Sequence, residues 1–302
     1  MTGSFARTCQ VAMAEWKMSL RNRRALVMSL LFVAVAALVM YGTISAFAAM
    51  EGEVVRTLGL PPAENPGAVT ITLWKSKAFS NVIEHLSGGS LVFVDIKGRH
   101  PILLAYAFFI FQVAPLLTLI VSAARIADDL RSGAARYWLV RVTRTEWSLG
   151  KFFGEAMMLA LAMLVGGLAA WGVASWRLPG GDGLGLLPGI LDWTARAWMY
   201  AFAWLGLFCG ISHLARSGGK ATALSILAML GAAAWTTMLE NLAPEEGPFT
   251  WLGHLDAFVP GSAISLMWRR SPAVLFQGVV HLSALALFYL SLGSAVFRRR
   301  DV

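Results

Sequence analysis

Charged residues are scarce in this sequence. They make up 14% of its 302 residues, against about 25% in an ordinary soluble domain. Hydrophobic residues reach 57%, a balance that excludes the soluble globular classes and leaves a polytopic membrane protein. Cysteine is almost missing: Cys9 and Cys209 are the only two, so no disulfide framework or Cys-based metal site is expected. No H-E-x-x-H or Ser/His/Asp spacing supports hydrolytic chemistry. Nor is there a G-x-x-x-x-G-K-[ST] loop; Gly150-Lys151 and Gly219-Lys220 are followed by Phe152 and Ala221 and lack the upstream glycine. The chain should therefore bind neither nucleotide nor metal, and no catalytic residue is assigned. Its net charge of +8 does not point to nucleic acid, because the basic residues are spread along loops that alternate with apolar runs.

Long apolar runs are what the sequence does have. The reading is an all-α polytopic membrane protein with six transmembrane helices, over about 25–50, 102–124, 152–176, 193–215, 221–239 and 273–297. The first run is far longer than a signal-peptide core and is expected to be retained. Ahead of it, residues 1–24 form an interfacial amphipathic helix: Phe5, Cys9, Met13, Trp16 and Leu20 share one face at 100° per residue, Arg7, Gln10, Lys17 and Arg21 the other, with Val11 and Met18 as misfits. Residues 25–302 then form one six-span domain. Its turn-rich segment 51–101, with a short helix near 78–86, reads as an external loop, and 240–272 as an external segment broken into short pieces at 249–259 and 262–268. Pro115 is expected as a kink tolerated in a bundle, and Gly166-Gly167 as a place of close helix approach. Most Lys and Arg fall in the N-terminus, 125–151, the 216–220 loop and the C-terminus, which places both termini in the cytoplasm by the positive-inside rule.

The stretch 125–151 is the only long run with the charge density of a soluble protein. Arg125/Asp129 and Asp128/Arg131, at i,i+4 and i,i+3, are expected to support a helix leaving the membrane. Thr143 and Glu146 have capping-box spacing, so a new helix starts there. Between them lies a short piece with Tyr137, Trp138 and Arg136. The predicted form is helix, break, short piece, helix, held outside the membrane and suited to docking on a partner.

An interfacial N-terminal helix, six spans, this elbow, a broken segment before the last span and an Arg-rich tail together resemble the permease subunits of ABC transporters of the ABC-2 exporter type. In the elbow the resemblance rests on Asp129, Gly133, the aromatic run 137–140, Val142-Thr143-Arg144 and Leu149-Gly150-Lys151, and at the tail on Phe297 and the arginines 298–300 before Asp301. Ala134 stands where the family commonly has Thr, and Arg141 where Pro is common. A similar layout occurs in the permease of the nitrous oxide reductase maturation system. The resemblance implies a subunit in a bacterial inner membrane that binds a separate ABC ATPase, with ATP and Mg on that partner, and that pairs with a second permease copy as a homodimer. Asp128, Asp129, Gly133, Tyr137, Trp138, Arg141, Arg144 and Glu146 are the residues assigned to the ATPase contact. Membrane lipid, and an external accessory protein served by mechanotransmission, are the further partners weighed. An intramembrane lipid-modifying enzyme is the alternative from another class.

Ionisable residues inside spans are functional candidates because their insertion is costly. Glu240 and His281 are named for the transport path. Glu155 is read as a snorkelling or paired charge at the cytoplasmic interface and Asp192 with Arg196 as a helix cap and its partner. Met157, Met158 and Met163 are read as core packing, and the tryptophans at span ends as an aromatic belt.

Overall fold

A computed structural model describes residues 2–21, 23–58, 95, 99–178, 182–242 and 253–299. Every regular element among them is a helix. In chain order these are α1 (Thr2–Arg21), α2 (Arg23–Leu58), α3 (Pro101–Ser122), α4 (Arg125–Ser132), α5 (Ala134–Leu139), α6 (Arg144–Arg177), α7 (Asp182–Gly185), α8 (Leu187–Leu214), α9 (Gly218–Leu242), α10 (Gly253–Asp256), α11 (Ile264–Trp268) and α12 (Pro272–Arg298). Five stretches are long and apolar enough to cross a membrane: Leu26–Thr57, Pro101–Ser132, Arg144–Arg177, Gly183–Leu214 and Pro272–Arg298. The expected span at 221–239 lies in α9, 25 residues long, which is not one of these five. The expected helix near 78–86 and the tail residues Arg300 and Asp301 lie outside the described residues.

Local chemistry sets several starts. Pro101 opens α3, where its missing N–H would have had no helical partner, and His100 Nδ1 accepts from the Ile102 amide at 3.3 Å. Pro188 and Pro272 sit in the first turns of α8 and α12. Pro115 is inside α3 and buried. Two boundaries differ from expectation. Helix α2 runs on to Leu58, where a loop was expected from 51; Arg56 reaches back to Glu53 at 2.7 Å and Val55 is buried. Helix α8 begins at Leu187, so Asp192 lies in its second turn and is not a cap, although its bond from Arg196 is present at 2.9 Å.

Helix α8 lies at the centre, against α12, α3, α6 and α9. Gly206 and Gly210, four residues apart, let its backbone approach α12 directly. A Cβ on Gly210 would stand 2.5 Å from the Tyr289 carbonyl oxygen, and one on Gly293 2.5 Å from that of Gly210. Small residues at this spacing allow the close packing that holds helices together where lipid removes the hydrophobic drive. Gly166 serves α2 in the same way, facing Phe32, and Gly167 faces the hydrogen-bonded pair Tyr106 and Thr194, whose oxygens are 2.8 Å apart. Between α3 and α8 the core is aromatic, with Phe111, Trp193 and Trp268 in contact and the two indoles 4.8 Å apart. Trp193 is thus core and not lipid-facing belt, whereas Trp176 is exposed. Met158 and Met163 are buried as core residues; Met157 faces outward.

Gly210→Leu forces α8 and α12 apart and should lower stability by about 1–3 kcal/mol, the usual cost of overpacking. Gly172→Leu is the control, since nothing lies within 4 Å of a Cβ there. Thermal unfolding of the purified protein checks this: a lower midpoint for the first variant alone is expected, and equal midpoints contradict it.

Candidate functional site

The elbow has the form its sequence predicts. Helix α4 spans 8 residues and ends at Gly133, whose left-handed φ of 76° is the one positive φ among the described residues. A side chain is strained in that conformation, and α5 starts directly after it at Ala134. Thr143 then caps α6: its hydroxyl accepts from the Glu146 amide at 3.3 Å, while Glu146 accepts from the Thr143 amide at 2.8 Å. The underside of the elbow is apolar. Ile126, Ala135, Trp138, Leu139 and Val142 pack with Trp147, Phe152, Leu205, Cys209 and Phe297.

The sequence-assigned contact residues separate into two groups. Asp128, Asp129, Arg144 and Glu146 are engaged within the chain. Asp128 accepts from the Gly218 amide at 3.1 Å, tying α4 to the first residue of α9. Arg144 donates to the carbonyls of Phe297 and Arg298 at 2.8 and 3.0 Å, with its guanidinium over the Phe297 ring. Glu146 receives Arg7 of α1 at 2.8 Å. Tyr137, by contrast, is 82% exposed and Val140 86%, with Arg136 and Arg141 exposed beside them. Gly133 forms the turn behind this tip, and Trp138 is half-buried under it. The tip is a two-sided surface: fixed from below, apolar and basic above.

Beneath the elbow lies a buried charge cluster that the sequence analysis did not assemble. Lys151 of α6 pairs with both Glu15 of α1 and Asp129 of α4. Arg125 donates to Glu155 at 3.0 Å, lies 3.9 Å from Glu15, and bonds the Ser19 hydroxyl. The side chains of Glu15, Lys151 and Glu155 are no more than 4% exposed. Of the two readings of Glu155, pairing and not snorkelling is what its burial against Arg125 shows. The expected pairs Arg125/Asp129 and Asp128/Arg131 do not form among the described residues: a surface i,i+4 pair contributes only a few tenths of a kcal/mol (about 0.2–0.5), and Arg125 and Asp129 turn instead to buried Glu155 and Lys151 on α6 while Asp128 takes the Gly218 amide.

Helix α1 docks through a face that the sequence analysis did not assign. Its buried face is Val11, Ala12, Glu15 and Ser19, while Phe5, Cys9 and Met13 of the expected apolar face point outward. The supposed misfit Val11 is the closest contact. It packs on Gly150, where a Cβ would stand 2.5 Å from the Val11 Cβ, and Glu15 packs on Gly154 at 2.7 Å by the same measure. The spacing Gly150-x-x-x-Gly154 was the available signal, and it leaves Phe5, Cys9 and Met13 free for a headgroup layer.

A family model described as ABC-2 family transporter protein matches residues 9–302. The chain belongs to the ABC-2 transporter family. It is therefore a multi-pass membrane component of an ABC transporter, a permease that is not itself catalytic. No curated protein matches it.

Other polar groups in this ABC-2 permease fit that assignment. Ser148 Oγ and His213 Nε2 are 2.7 Å apart and His213 Nδ1 is 2.7 Å from the Cys209 carbonyl. The carbonyl can only accept, so Nδ1 carries the proton and Nε2 accepts from Ser148. A Ser–His pair could prompt an enzyme reading, yet both residues are at most 1% exposed, sealed by Trp147 and Phe297, with no access for lipid. Of the path candidates, Glu240 lies in α9 with its side chain outside the described residues. His281 is half-buried in α12, nearer its Pro272 end and away from the elbow. No group of three or more His, Cys, Asp or Glu among the described residues is placed to hold a metal ion.

Lys151→Met keeps most of the side-chain volume but removes the cation that Glu15 and Asp129 share, and removing one member of a buried pair costs about 3–5 kcal/mol. Arg7→Gln, at a half-exposed pair, should lower the thermal unfolding midpoint of the permease far less. Equal effects of the two substitutions contradict the buried-cluster reading.

Proposed function

We propose that this chain is one half of a dimeric ABC exporter permease in a bacterial inner membrane, and that the elbow tip receives a separate ATPase subunit carrying ATP and Mg. The observation that carries this reading is the exposed pair Tyr137 and Val140, flanked by Arg136 and Arg141, on an elbow otherwise fixed to the bundle. Large exposed aromatic and Arg side chains on a fixed support are what a docking partner uses as anchors. In this proposal Asp128, Asp129, Arg144 and Glu146 hold the tip in place, and Gly133, Tyr137, Trp138 and Arg141 form or back the contact.

Motion follows from the attachments. The elbow, α1 and α6 share the Lys151 cluster, so closure of two ATPase subunits would move them together and shift α6 against α8, opening a path between two permease copies. Both termini and the elbow are cytoplasmic in this proposal, α9 is the fifth of six spans in chain order, and Glu240 and His281 remain candidates for the path.

A Tyr137→Ala, Val140→Ser double variant tests the reading. Loss of an aromatic anchor should weaken ATPase retention about tenfold or more in co-purification from native membranes. The thermal midpoint of the isolated permease should be unchanged, because neither side chain is buried. Undiminished retention, or no P-loop protein retained by the parent, contradicts it.

A further inference from the structure

Glu155 of α6 and Glu15 of α1 meet where water is excluded. Their side chains are each 2% exposed, and the two carboxyl groups lie within hydrogen-bonding reach of one another. If both were ionised, like charges would touch in surroundings that screen them weakly. Their partners are unequal. Glu15 faces two cations, pairing with Lys151 and lying 3.9 Å from Arg125. Glu155 receives Arg125 at 3.0 Å on Oε1, while its Oε2 is buried and accepts from no donor among the described residues. An ionised oxygen sealed away without a donor keeps its full desolvation penalty. A protonated one is itself a donor, and the Glu15 carboxylate beside it is the acceptor it needs.

The other groups packed around Glu155 agree with this. Arg125 and Asp129 reach the site from α4, Ser19 from α1 and Lys151 from α6, and α8 adds the buried Cys209 thiol. The Trp198 indole, also on α8, is committed to the Ala156 carbonyl at 3.0 Å. With Glu155 neutral, Lys151 and Arg125 face Glu15 and Asp129, so the buried set from α1, α4 and α6 closes at two cations and two carboxylates. The Arg125 bond survives, because a neutral carboxyl still offers an acceptor oxygen.

We propose that Glu155 binds a proton at neutral pH and donates it to Glu15, fastening α1 to α6 by a carboxyl–carboxylate hydrogen bond. The ligand of this site is the proton itself. Its loss places a second anion against Glu15 and drives α1 off α6, which breaks the contacts that Lys151 and Arg125 make across the junction. The site is a latch that alkaline pH opens. That opening it would also release an ATPase from the elbow rests on the function proposed above; the proton site does not.

The sign of the pH dependence follows. An unfolded glutamate ionises near its ordinary value of about 4.3, so above that pH the folded chain holds one proton more than the unfolded chain. Stability therefore falls as pH rises, until the folded chain too has lost the proton. Glu155→Gln, a permanent copy of the neutral form, lacks this dependence.

The test uses the purified full chain in neutral detergent. Infrared spectra of the parent at neutral pH should contain the carbonyl stretch of a protonated carboxyl, and Glu155→Gln should remove it. Thermal unfolding is then followed from about pH 5 to about pH 9. Midpoints of parent and Glu155→Gln should nearly coincide at the acid end. Toward alkaline pH the parent should fall behind, its unfolding constant growing by up to about tenfold per pH unit relative to the variant. Glu15→Gln removes the charge facing Lys151 and should lower the midpoint at every pH. The proposal is overturned if the parent shows no protonated carboxyl, if Glu155→Gln leaves that band in place or fails to fold, or if the two glutamine substitutions cost alike. Co-purification of the ATPase across the same pH range tests the coupling separately. Retention unchanged after the band has been titrated away would overturn the release and leave the proton site standing.

Discussion

Lys151 is buried inside a membrane-length helix and is neutralised by carboxylates from two other elements, Glu15 of α1 and Asp129 of α4. An ammonium group is taken out of water at a cost of several kcal/mol, returned only when partners of good geometry are all present. No single helix supplies them. Arg125, reaching Glu155, Glu15 and Ser19, repeats the requirement from the elbow side. The two cations therefore make the seating of α1, the path of the elbow and the start of α6 one structural event. Gly150 and Gly154 make it geometrically feasible by letting α1 lie directly on α6.

From that junction outward the bundle is organised by close approach. The glycine contacts of α8 with α12 and the Tyr106–Thr194 bond of α3 with α8 hold the spans together without a hydrophobic drive. The elbow sits on this support through Trp147, Phe152 and Phe297 and through Arg144, which closes the last carbonyls of α12. What remains unengaged on the elbow is its tip. A surface presented on a fixed base can transmit a push, whereas the same residues on a flexible loop would absorb it.

Much of this was legible in the sequence, for stated reasons. Apolar runs of bilayer length mark spans by composition alone, and the capping box at Thr143 and the break at Gly133 are local signals that tertiary packing did not override. Partner choice was not legible. Arg125 and Asp129 are correctly spaced for a helical pair, but the nearest-neighbour rule ignores Glu155 and Lys151, which are distant from α4 in the chain and adjacent in space. The docking face of α1 was not legible because a helical wheel scores hydrophobicity, and this face is selected by fit: small Ala12 and Ser19, Val11 against a glycine, and a carboxylate aimed at a buried lysine. Trp193 did mislead, since a tryptophan near a span end can equally be packed in the core against Phe111 and Trp268.

The most direct test of the shared junction is amide hydrogen exchange of the purified permease with Lys151→Met beside the parent. If the cluster makes α1, the elbow and α6 one unit, amides of residues 2–21 and 125–142 should lose protection together in the variant, while those facing one another across α8 and α12 keep theirs. If α1 loosens and the elbow stays protected, or neither changes, the cluster is not what binds them and the account of how motion passes from the elbow into the bundle fails.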